Sequence, residues 1–134
     1  MILFICTGNT CRSPMAMALC RLHGVDALSA GLSAFPGDSA ALPAQRVIQA
    51  LGGDLSRHRA QTVSEELMAQ AEKVFPMTSS HALMLSRLFP DHAHKIQLLS
   101  PQIPDPFGGD YDAYRCCTHQ LLLALQNAHL ISHS

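Results

Sequence analysis

The sequence lacks the features that would direct it to a nucleic acid, a membrane or an export pathway. Its 9 Lys and Arg residues are balanced by 10 Asp and Glu residues, so it has no basic excess to bind a polyanion. The longest apolar runs, residues 1–5 and 121–125, are much shorter than a membrane span. The start of the chain has neither the basic segment nor the long apolar segment of a signal peptide. We therefore expect a cytoplasmic protein that binds neither nucleic acid nor membrane.

The sequence also lacks the cysteine patterns of a disulfide framework or a zinc site. The number of cysteines is odd, and no two are spaced as Cys-x-x-Cys: they are Cys6, Cys11, Cys20, Cys116 and Cys117. His92 and His94 could together bind a metal ion, but a solvated loop is the better interpretation of that segment.

The apolar residues, 48% of the chain, are enough for one compact core, and we predict a single domain over residues 1–134. Residues 1–5 form a continuous apolar run, which is typical of a strand buried on both faces of a parallel sheet. Strand and helix patterns then alternate, which predicts a three-layer α/β domain. The predicted strands are 1–5, 26–30, 73–77 and 95–99, and the predicted helices are 15–23, 43–51, 64–71, 79–89 and 111–130, with Ser13 and Asp38 or Ser39 as candidate caps of the first two.

The loop after the first strand carries the pattern Cys-x5-Arg-Ser. Ligands of such folds bind beyond the carboxyl ends of the strands, and the first strand ends at Cys6. A thiol is a poor nucleophile near neutral pH unless its thiolate is stabilised. A helix N-terminus, inward-facing backbone N–H groups and a guanidinium would all stabilise it here. The pattern therefore predicts a nucleophilic Cys6 beside a site for a tetrahedral anion.

The other loop residues suit that anion. Arg12 can bind two phosphate oxygens with its planar fork, and the hydroxyl of Ser13 can donate a hydrogen bond to the sulfur of Cys6. We expect Gly8 to allow backbone geometry that a Cβ would obstruct, and Asn9 to tolerate a positive φ. The residues predicted to bind phosphate or substrate are Thr7, Gly8, Asn9, Thr10, Cys11, Arg12, Ser13 and Phe107.

Phosphoryl transfer to sulfur also needs a proton for the leaving group, and Asp105 is the candidate acid. The prolines on either side of it, Pro104 and Pro106, stiffen its loop, and Phe107 could line the mouth of the site. Asp110 and Asp112 are rivals, but they lie where a helix favours acidic residues at its N-terminus.

Residues 6–14 (CTGNTCRSP) resemble the signature of the low-molecular-weight protein tyrosine phosphatase family, and residues 105–107 (DPF) resemble its acid loop. Residues 29–31 and 62–77 resemble further family segments, so the similarity covers nearly the whole chain. The resemblance implies a flavodoxin-like fold with a four-stranded parallel sheet. It also implies a mechanism through cysteinyl phosphate without metal or cofactor. In that mechanism Cys6 is the nucleophile, Arg12 binds phosphate and Asp105 is the general acid and then base. By the same resemblance, Cys11 can form a reversible disulfide with Cys6 that protects the nucleophile from over-oxidation.

Within the family, the chain is most similar to bacterial protein arginine phosphatases. Position 10 is Thr, where the tyrosine-specific members commonly have a larger aliphatic residue. Phe107 is followed by Gly108, where those members usually have consecutive aromatic residues, so we expect only one aromatic wall. A slim and polar phosphoarginine would fit such a pocket, with its guanidinium against Asp105, while Thr10 tightens the neck of the pocket. The predicted substrates are therefore proteins phosphorylated on arginine, with tyrosine as the alternative.

Two further functions use a similar loop. A thiol-dependent arsenate reductase needs resolving cysteines in a segment after the middle strands, and this chain has no cysteine between Cys20 and Cys116. A phosphopeptide-binding module or phosphocarrier needs neither a general acid nor the Arg-Ser pair after the loop, and both are present here. Both alternatives are disfavoured.

Overall fold

The computed structural model describes residues 1–132, in which three parallel strands alternate with helices. The elements in chain order are β1 Ile2–Cys6, α1 Arg12–Leu22, β2 Ala27–Gly31, α2 Leu42–Ala50, α3 Glu65–Gln70, β3 Lys73–Pro76, α4 Ser79–Leu88 and α5 Tyr111–Asn127. A 3-10 helix, Pro90–Lys95, follows α4. None of the helices described is both long and apolar enough to cross a membrane.

Strand β1 lies at the centre of the sheet, between β2 and β3. Both neighbours run parallel to it, and Cys6 at the end of β1 pairs with Gly31 at the end of β2. All five residues of β1 are buried, as the continuous apolar run predicted.

Side chains of β1 alternate between two cores, one on each face of the sheet. Phe4 belongs to a core with residues of α1, α2 and α5, whereas Leu3 and Ile5 pack with Met68 of α3 and Leu85 of α4. The two apolar faces are therefore covered by different helices, and the predicted three-layer α/β architecture is confirmed.

The predicted fourth strand, residues 95–99, is wrong in this structure. Only Ile96 pairs with the sheet, through a single bridge to Val74 of β3. The 3-10 helix takes up the chain as far as Lys95, whose ammonium group donates to the carbonyl oxygen of Met68 at 2.8 Å. The residues after Gln97, whose N–H donates to the carbonyl oxygen of Val74 at 2.9 Å, then leave the sheet. The described sheet therefore has three strands and two isolated bridging residues, Thr62 beside β2 and Ile96 beside β3.

The predicted caps of the first two helices are also wrong. Helix α1 begins at Arg12, so Ser13 lies inside its first turn and does not cap it; the capping residue, Cys11, makes no side-chain cap hydrogen bond. The capping residue of α2 is Ala41, with Pro43 in the first turn, so neither Asp38 nor Ser39 has that role. Asp38 and Ser39 lie instead in the loop between β2 and α2.

Candidate active site

The sulfur of Cys6 lies at the carboxyl end of β1, where the chain turns into the loop that precedes α1. Its Sγ atom is 2.9 Å from the hydroxyl oxygen of Ser13. That oxygen already accepts a hydrogen bond from the side-chain amide of Asn9 at 2.9 Å. The other acceptor near the hydroxyl, the carbonyl oxygen of Ala30, is 3.5 Å away. The Ser13 proton is therefore best placed to donate to Cys6, an arrangement that stabilises a thiolate.

Asn9 holds the loop in its curled shape. It has a φ of 57°, in the left-handed region that Asn tolerates, and it is fully buried. Besides Ser13, its amide donates to the hydroxyl of Ser29, and its amide oxygen accepts the backbone N–H of Gln61, both at 2.9 Å. The Nε2–H of His58 donates to its carbonyl oxygen at 2.7 Å. Burial lowers the pKa of His58, which favours the neutral ring.

The glycine that the loop requires is Gly31. A Cβ there would lie 2.6 Å from the carbonyl oxygen of Thr7, so only glycine lets the end of β2 approach the loop this closely. A Cβ at Gly8 would come no closer than 3.7 Å to the Thr10 hydroxyl, and Gly8 has no positive φ. The prediction that Gly8 is needed for its backbone geometry is therefore wrong.

Arg12 presents one free edge of its guanidinium at the site. The residue is only 5% exposed, and Nη1 donates to the carbonyl oxygen of Ile103 at 3.1 Å. Nη2 lies 3.6 Å from a carboxylate oxygen of Asp105, and the buried Nε has no hydrogen-bond partner among residues 1–132. An unsatisfied buried N–H is unfavourable. An oxyanion bound beside the loop would supply the acceptor that this edge lacks.

The structure brings Asp105 to Arg12 by anchoring its loop to the sheet. The backbone N–H of Ile103 donates to the carbonyl oxygen of Met77, just after β3, at 2.9 Å. One Asp105 oxygen accepts the backbone N–H of Phe107 at 3.0 Å, and about half of the Asp105 side chain is exposed. The rivals are placed elsewhere: Asp110 caps α5, and the Asp112 side chain pairs with Arg115 on that helix. Of the predicted acids, Asp105 is the one at the cavity.

A cavity of about 450 Å³ opens above Cys6. It brings together most of the predicted residues and adds some from the loop after β2; its lining is Cys6, Thr7, Gly8, Thr10, Cys11, Arg12, Ser33, Phe35, Asp38, Asp105 and Phe107. The predicted residues Asn9 and Ser13 lie behind this lining and are fully buried.

The expectation of a single aromatic wall is wrong. Phe35 and Phe107 both line the cavity, and each is 77% exposed. Phe35 lies in the loop after β2, and loops that follow parallel strands line the ligand site in folds of this kind. That placement was the signal in the sequence that could have identified Phe35, together with its neighbours Ser33 and Asp38.

Two buried side chains behind the loop were also missed. The Nε2 atom of His81, on α4, lies 2.9 Å from the Thr7 hydroxyl, and its Nδ1 atom lies 3.0 Å from the hydroxyl of Thr78. Burial and, secondarily, the charge of Arg12 lower the pKa of His81. The hydroxyl of Tyr114, on α5, lies 3.3 Å from the sulfur of Cys11 and so connects the loop to that helix.

All five cysteines are free thiols in this structure. Burial raises the pKa of Cys11, so its thiol is the neutral form near pH 7. The disulfide between Cys6 and Cys11 stays a prediction. Among residues 1–132 no group of three or more His, Cys, Asp or Glu side chains is arranged to hold a metal ion.

Comparison with known proteins agrees with this geometry. The family model described as low molecular weight phosphotyrosine protein phosphatase matches residues 1–129. A protein-arginine-phosphatase of Geobacillus stearothermophilus is 39% identical over 130 residues, which cover 90% of this chain and 87% of that protein.

Solved structures agree as well. A YwlE arginine phosphatase with a phosphorylated active-site serine has a TM-score of 0.90 at 32% identity, covering 95% of this chain and 91% of that one. A low molecular weight protein tyrosine phosphatase from T. tengcongensis has a TM-score of 0.89 at 33% identity, with 96% of each chain covered. The predicted fold and phosphatase activity are confirmed, and the chain belongs to the low molecular weight phosphotyrosine protein phosphatase family.

Proposed function

We propose that this phosphatase hydrolyses phosphoarginine in proteins through a phosphoryl group carried on Cys6. In this proposal the loop amides of residues 7–12 and the free edge of Arg12 bind the phosphate. Ser13 stabilises the thiolate, and Asp105 transfers protons.

The first step forms a bond from the Cys6 sulfur to phosphorus and breaks the bond from phosphorus to the guanidino nitrogen. The thiolate supplies the electron pair, and the departing nitrogen takes a proton from the Asp105 carboxyl group. The Nε and Nη2 atoms of Arg12 hold two of the phosphoryl oxygens, because Nη1 is engaged by the carbonyl oxygen of Ile103. The protein then carries phosphocysteine, and free arginine side chain leaves.

The second step returns the protein to its starting state. A water molecule gives a proton to the Asp105 carboxylate and attacks phosphorus, and the bond from sulfur to phosphorus breaks. The electron pair returns to the Cys6 sulfur, where the Ser13 hydroxyl at 2.9 Å stabilises the thiolate as it leaves. Inorganic phosphate is the product, and no metal or cofactor takes part in either step.

The single observation that supports this reaction most strongly is the unsatisfied Nε of Arg12. A buried donor beside a nucleophilic sulfur and a half-exposed carboxylate suits a phosphoryl group better than any neutral ligand. The phosphorylated active-site serine in the YwlE structure, in a variant where serine replaces the cysteine, supports a covalent phosphoryl intermediate at that position.

Two further observations favour arginine as the phosphorylated residue. The relatives from Geobacillus stearothermophilus and Bacillus subtilis, 39% and 35% identical to this chain, are named protein-arginine-phosphatases. Thr10 also lines the cavity, so its short side chain presents a hydroxyl group there instead of a larger apolar surface. A hydroxyl group at this position suits a phosphorylated guanidinium, in which a nitrogen that carries N–H groups is bonded directly to phosphorus.

Phosphotyrosine is the second candidate, and the two phenylalanines favour it. Phe35 and Phe107 could hold a phenyl ring between them. The low molecular weight tyrosine phosphatase from T. tengcongensis shares the fold at 33% identity. Aromatic faces also stack on guanidinium groups, so these residues by themselves do not select tyrosine.

Paired peptides of one sequence, phosphorylated on arginine or on tyrosine, distinguish the two candidates. We expect the purified protein to release phosphate with the higher kcat/KM from the phosphoarginine peptide. Cys6→Ser should abolish turnover of both peptides, which controls for a contaminating phosphatase. A higher kcat/KM on the phosphotyrosine peptide would establish the second candidate instead.

We further propose a cellular location and a class of partner for this protein. Its partners are phosphorylated proteins in the cytoplasm, with no nucleic acid or membrane required, and residues 1–134 form one domain.

We also propose that peroxide joins Cys6 to Cys11 in a disulfide that blocks the nucleophile until a thiol reduces it. Mass spectrometry of peroxide-treated protein, before and after dithiothreitol, tests that pairing, with Cys11→Ser as the control.

A further inference from the structure

The loop between β2 and α2 places a carboxylate at the rim of the cavity, on the turn that carries Phe35. Asp38 lines the same cavity as Cys6 and Asp105, and its side chain is exposed. No side-chain hydrogen bond or ion pair of Asp38 occurs within residues 1–132. The Asp38 carboxylate therefore has no side-chain partner among these residues. It lies at the entrance of the cavity, and the guanidinium of Arg12 lines the same cavity.

Backbone contacts fix this turn, so the carboxylate is held in place without using its own oxygens. The N–H of Asp38 donates to the carbonyl oxygen of Phe35 at 3.1 Å. The carbonyl oxygen of Asp38 accepts the N–H of Ala60 at 2.7 Å, and the N–H of Gly37 donates back to Ala60 at 2.9 Å. Gly37 has a φ of 92°, which favours glycine and sharpens the turn.

The other carboxylate at the cavity is already engaged. One oxygen of Asp105 accepts the backbone N–H of Phe107 at 3.0 Å, and the other lies 3.6 Å from Nη2 of Arg12. In the proposed reaction Asp105 must also give up a proton and take one back. A substrate that brings a positive charge therefore needs a second acceptor, and Asp38 is the carboxylate of the lining that remains.

From this arrangement we propose that Asp38 and Phe35 form a subsite for the cationic guanidinium of the substrate. The inference rests on the proposed function, since the substrate must be phosphoarginine. The guanidinium plane lies against the exposed ring of Phe35, and its N–H groups donate to the Asp38 carboxylate. A phosphotyrosine ring can use the Phe35 face but has nothing to donate to Asp38. Asp38 is therefore a specificity-determining residue.

The ratio of kcat/KM for phosphoarginine and phosphotyrosine peptides of the same sequence tests this subsite. Asp38→Asn should lower the ratio about three- to fivefold, the scale of one partly exposed charged contact. Asp38→Glu, which keeps the charge, should keep the ratio within about twofold of the wild type. Asp26→Asn, an equal change of charge at the opposite end of β2, should leave the ratio unaltered. High salt should shrink the difference between wild type and Asp38→Asn, since exposed charge pairs are screened.

The outcomes separate this inference from the function on which it rests. A wild-type protein that does not hydrolyse the phosphoarginine peptide would overturn the proposed function and the subsite together. Wild-type turnover of that peptide, with the same ratio in Asp38→Asn as in Asp26→Asn, would overturn the subsite and leave the proposed function standing. An equal loss of kcat/KM on both peptides in Asp38→Asn would also overturn it, because Asp38 would then not discriminate.

Discussion

Nη2 of Arg12 lies 3.6 Å from the carboxylate of Asp105, so the group proposed to bind phosphate is adjacent to the group proposed to move the proton. Arg12 starts a helix at one end of the chain, and Asp105 lies in the loop before α5. The contact joins two parts of the sequence that the sheet brings to the same edge. In the proposed reaction this contact puts Asp105 beside the phosphoryl group that Arg12 binds, where the leaving nitrogen needs a proton.

Asp105→Asn should lower kcat on a phosphoarginine peptide by about 10²- to 10⁴-fold, the usual contribution of a general acid. KM should change little, because Arg12 and the loop amides still bind the phosphate. The loss should be smaller on p-nitrophenyl phosphate, whose leaving group departs without a proton. Steady-state kinetics on both substrates check this expectation.

Asp112→Asn is the matched control for that variant. It makes the same chemical change on α5, where Asp112 pairs with exposed Arg115, and should stay within about twofold of wild type. An equal loss of kcat on both substrates in Asp105→Asn would show that the residue supports structure rather than proton transfer.

Asn9 should contribute to stability through both its side chain and its backbone conformation. Asn9→Ala removes three side-chain hydrogen bonds, to Ser13, Ser29 and Gln61, and places an alanine at a φ of 57°. We expect the free energy of unfolding to fall by about 2–4 kcal/mol. Asn9→Gly loses the same bonds but tolerates the φ, so it should be about 1 kcal/mol less destabilised than Asn9→Ala.

Urea unfolding of the two Asn9 variants measures that difference. Equal stability of the alanine and glycine variants would mean that the positive φ stores no strain in the loop. If either variant had the same free energy of unfolding as the wild type, the hydrogen bonds of the Asn9 side chain would not stabilise the folded protein.

Thr10→Ile should shift the substrate preference towards phosphotyrosine. The larger apolar side chain fills the neck of the cavity and favours an aromatic ring over a polar guanidinium. The measurement is the ratio of kcat/KM for the paired peptides. A ratio equal to that of the wild type would show that Thr10 does not determine specificity. Asp38 would then be the remaining residue that we propose to discriminate between the two peptides.

Two histidines, half-buried His58 and buried His81, should make the protein less stable in mild acid. Burial lowers the pKa of both His58 and His81 below their ordinary value of 6.5. Between the lowered pKa and 6.5, the unfolded chain binds more protons than the folded one, so the free energy of unfolding rises with pH. The stability that the two neutral histidines contribute is fully present above pH 6.5. It is lost as the pH falls from 6.5 through the lowered pKa of each histidine in the folded protein.

Urea unfolding at several pH values between about 5 and 7.5 measures that slope. His81→Asn and His58→Gln should each flatten it, because each removes a group whose pKa differs between the two states. A slope that is identical in wild type and both variants would show that neither histidine titrates differently on folding.

The sequence was sufficient to predict those parts of the site that lie close together along the chain. The strand that ends at Cys6, the helix that begins near Arg12 and the spacing between them are local properties, read from an apolar run and a short motif. The structure places Asp105, the predicted acid between two prolines, in the cavity lining, and its role in proton transfer stays a prediction. Ser64 was expected at a helix start, and it caps α3 by accepting the N–H of Leu67.

The contacts that the sequence did not reveal depend on tertiary packing. His81 reaches Thr7 across the sheet edge, and Phe35 reaches the cavity from the loop after β2. No local pattern distinguishes His81 from other residues of a helix, whereas the position of Phe35 after a parallel strand was a signal that we did not use. For Ser13 only the predicted cap was wrong, because Ser13 lies inside the first turn of α1, whereas its predicted contact with the Cys6 sulfur is present at 2.9 Å.

The most direct test of the account is to trap the phosphoryl group on the protein. Asp105→Asn, mixed with p-nitrophenyl phosphate and quenched in acid within one turnover, should carry a phosphoryl group on the proteolytic fragment that contains Cys6. This leaving group departs without a proton, so the first step stays fast, whereas the second step lacks the base that accepts a proton from water. The same experiment with Cys6→Ala should give no labelled fragment. Phosphate released from the wild type while the label is found on another residue, or on none at any time, would contradict a reaction through Cys6.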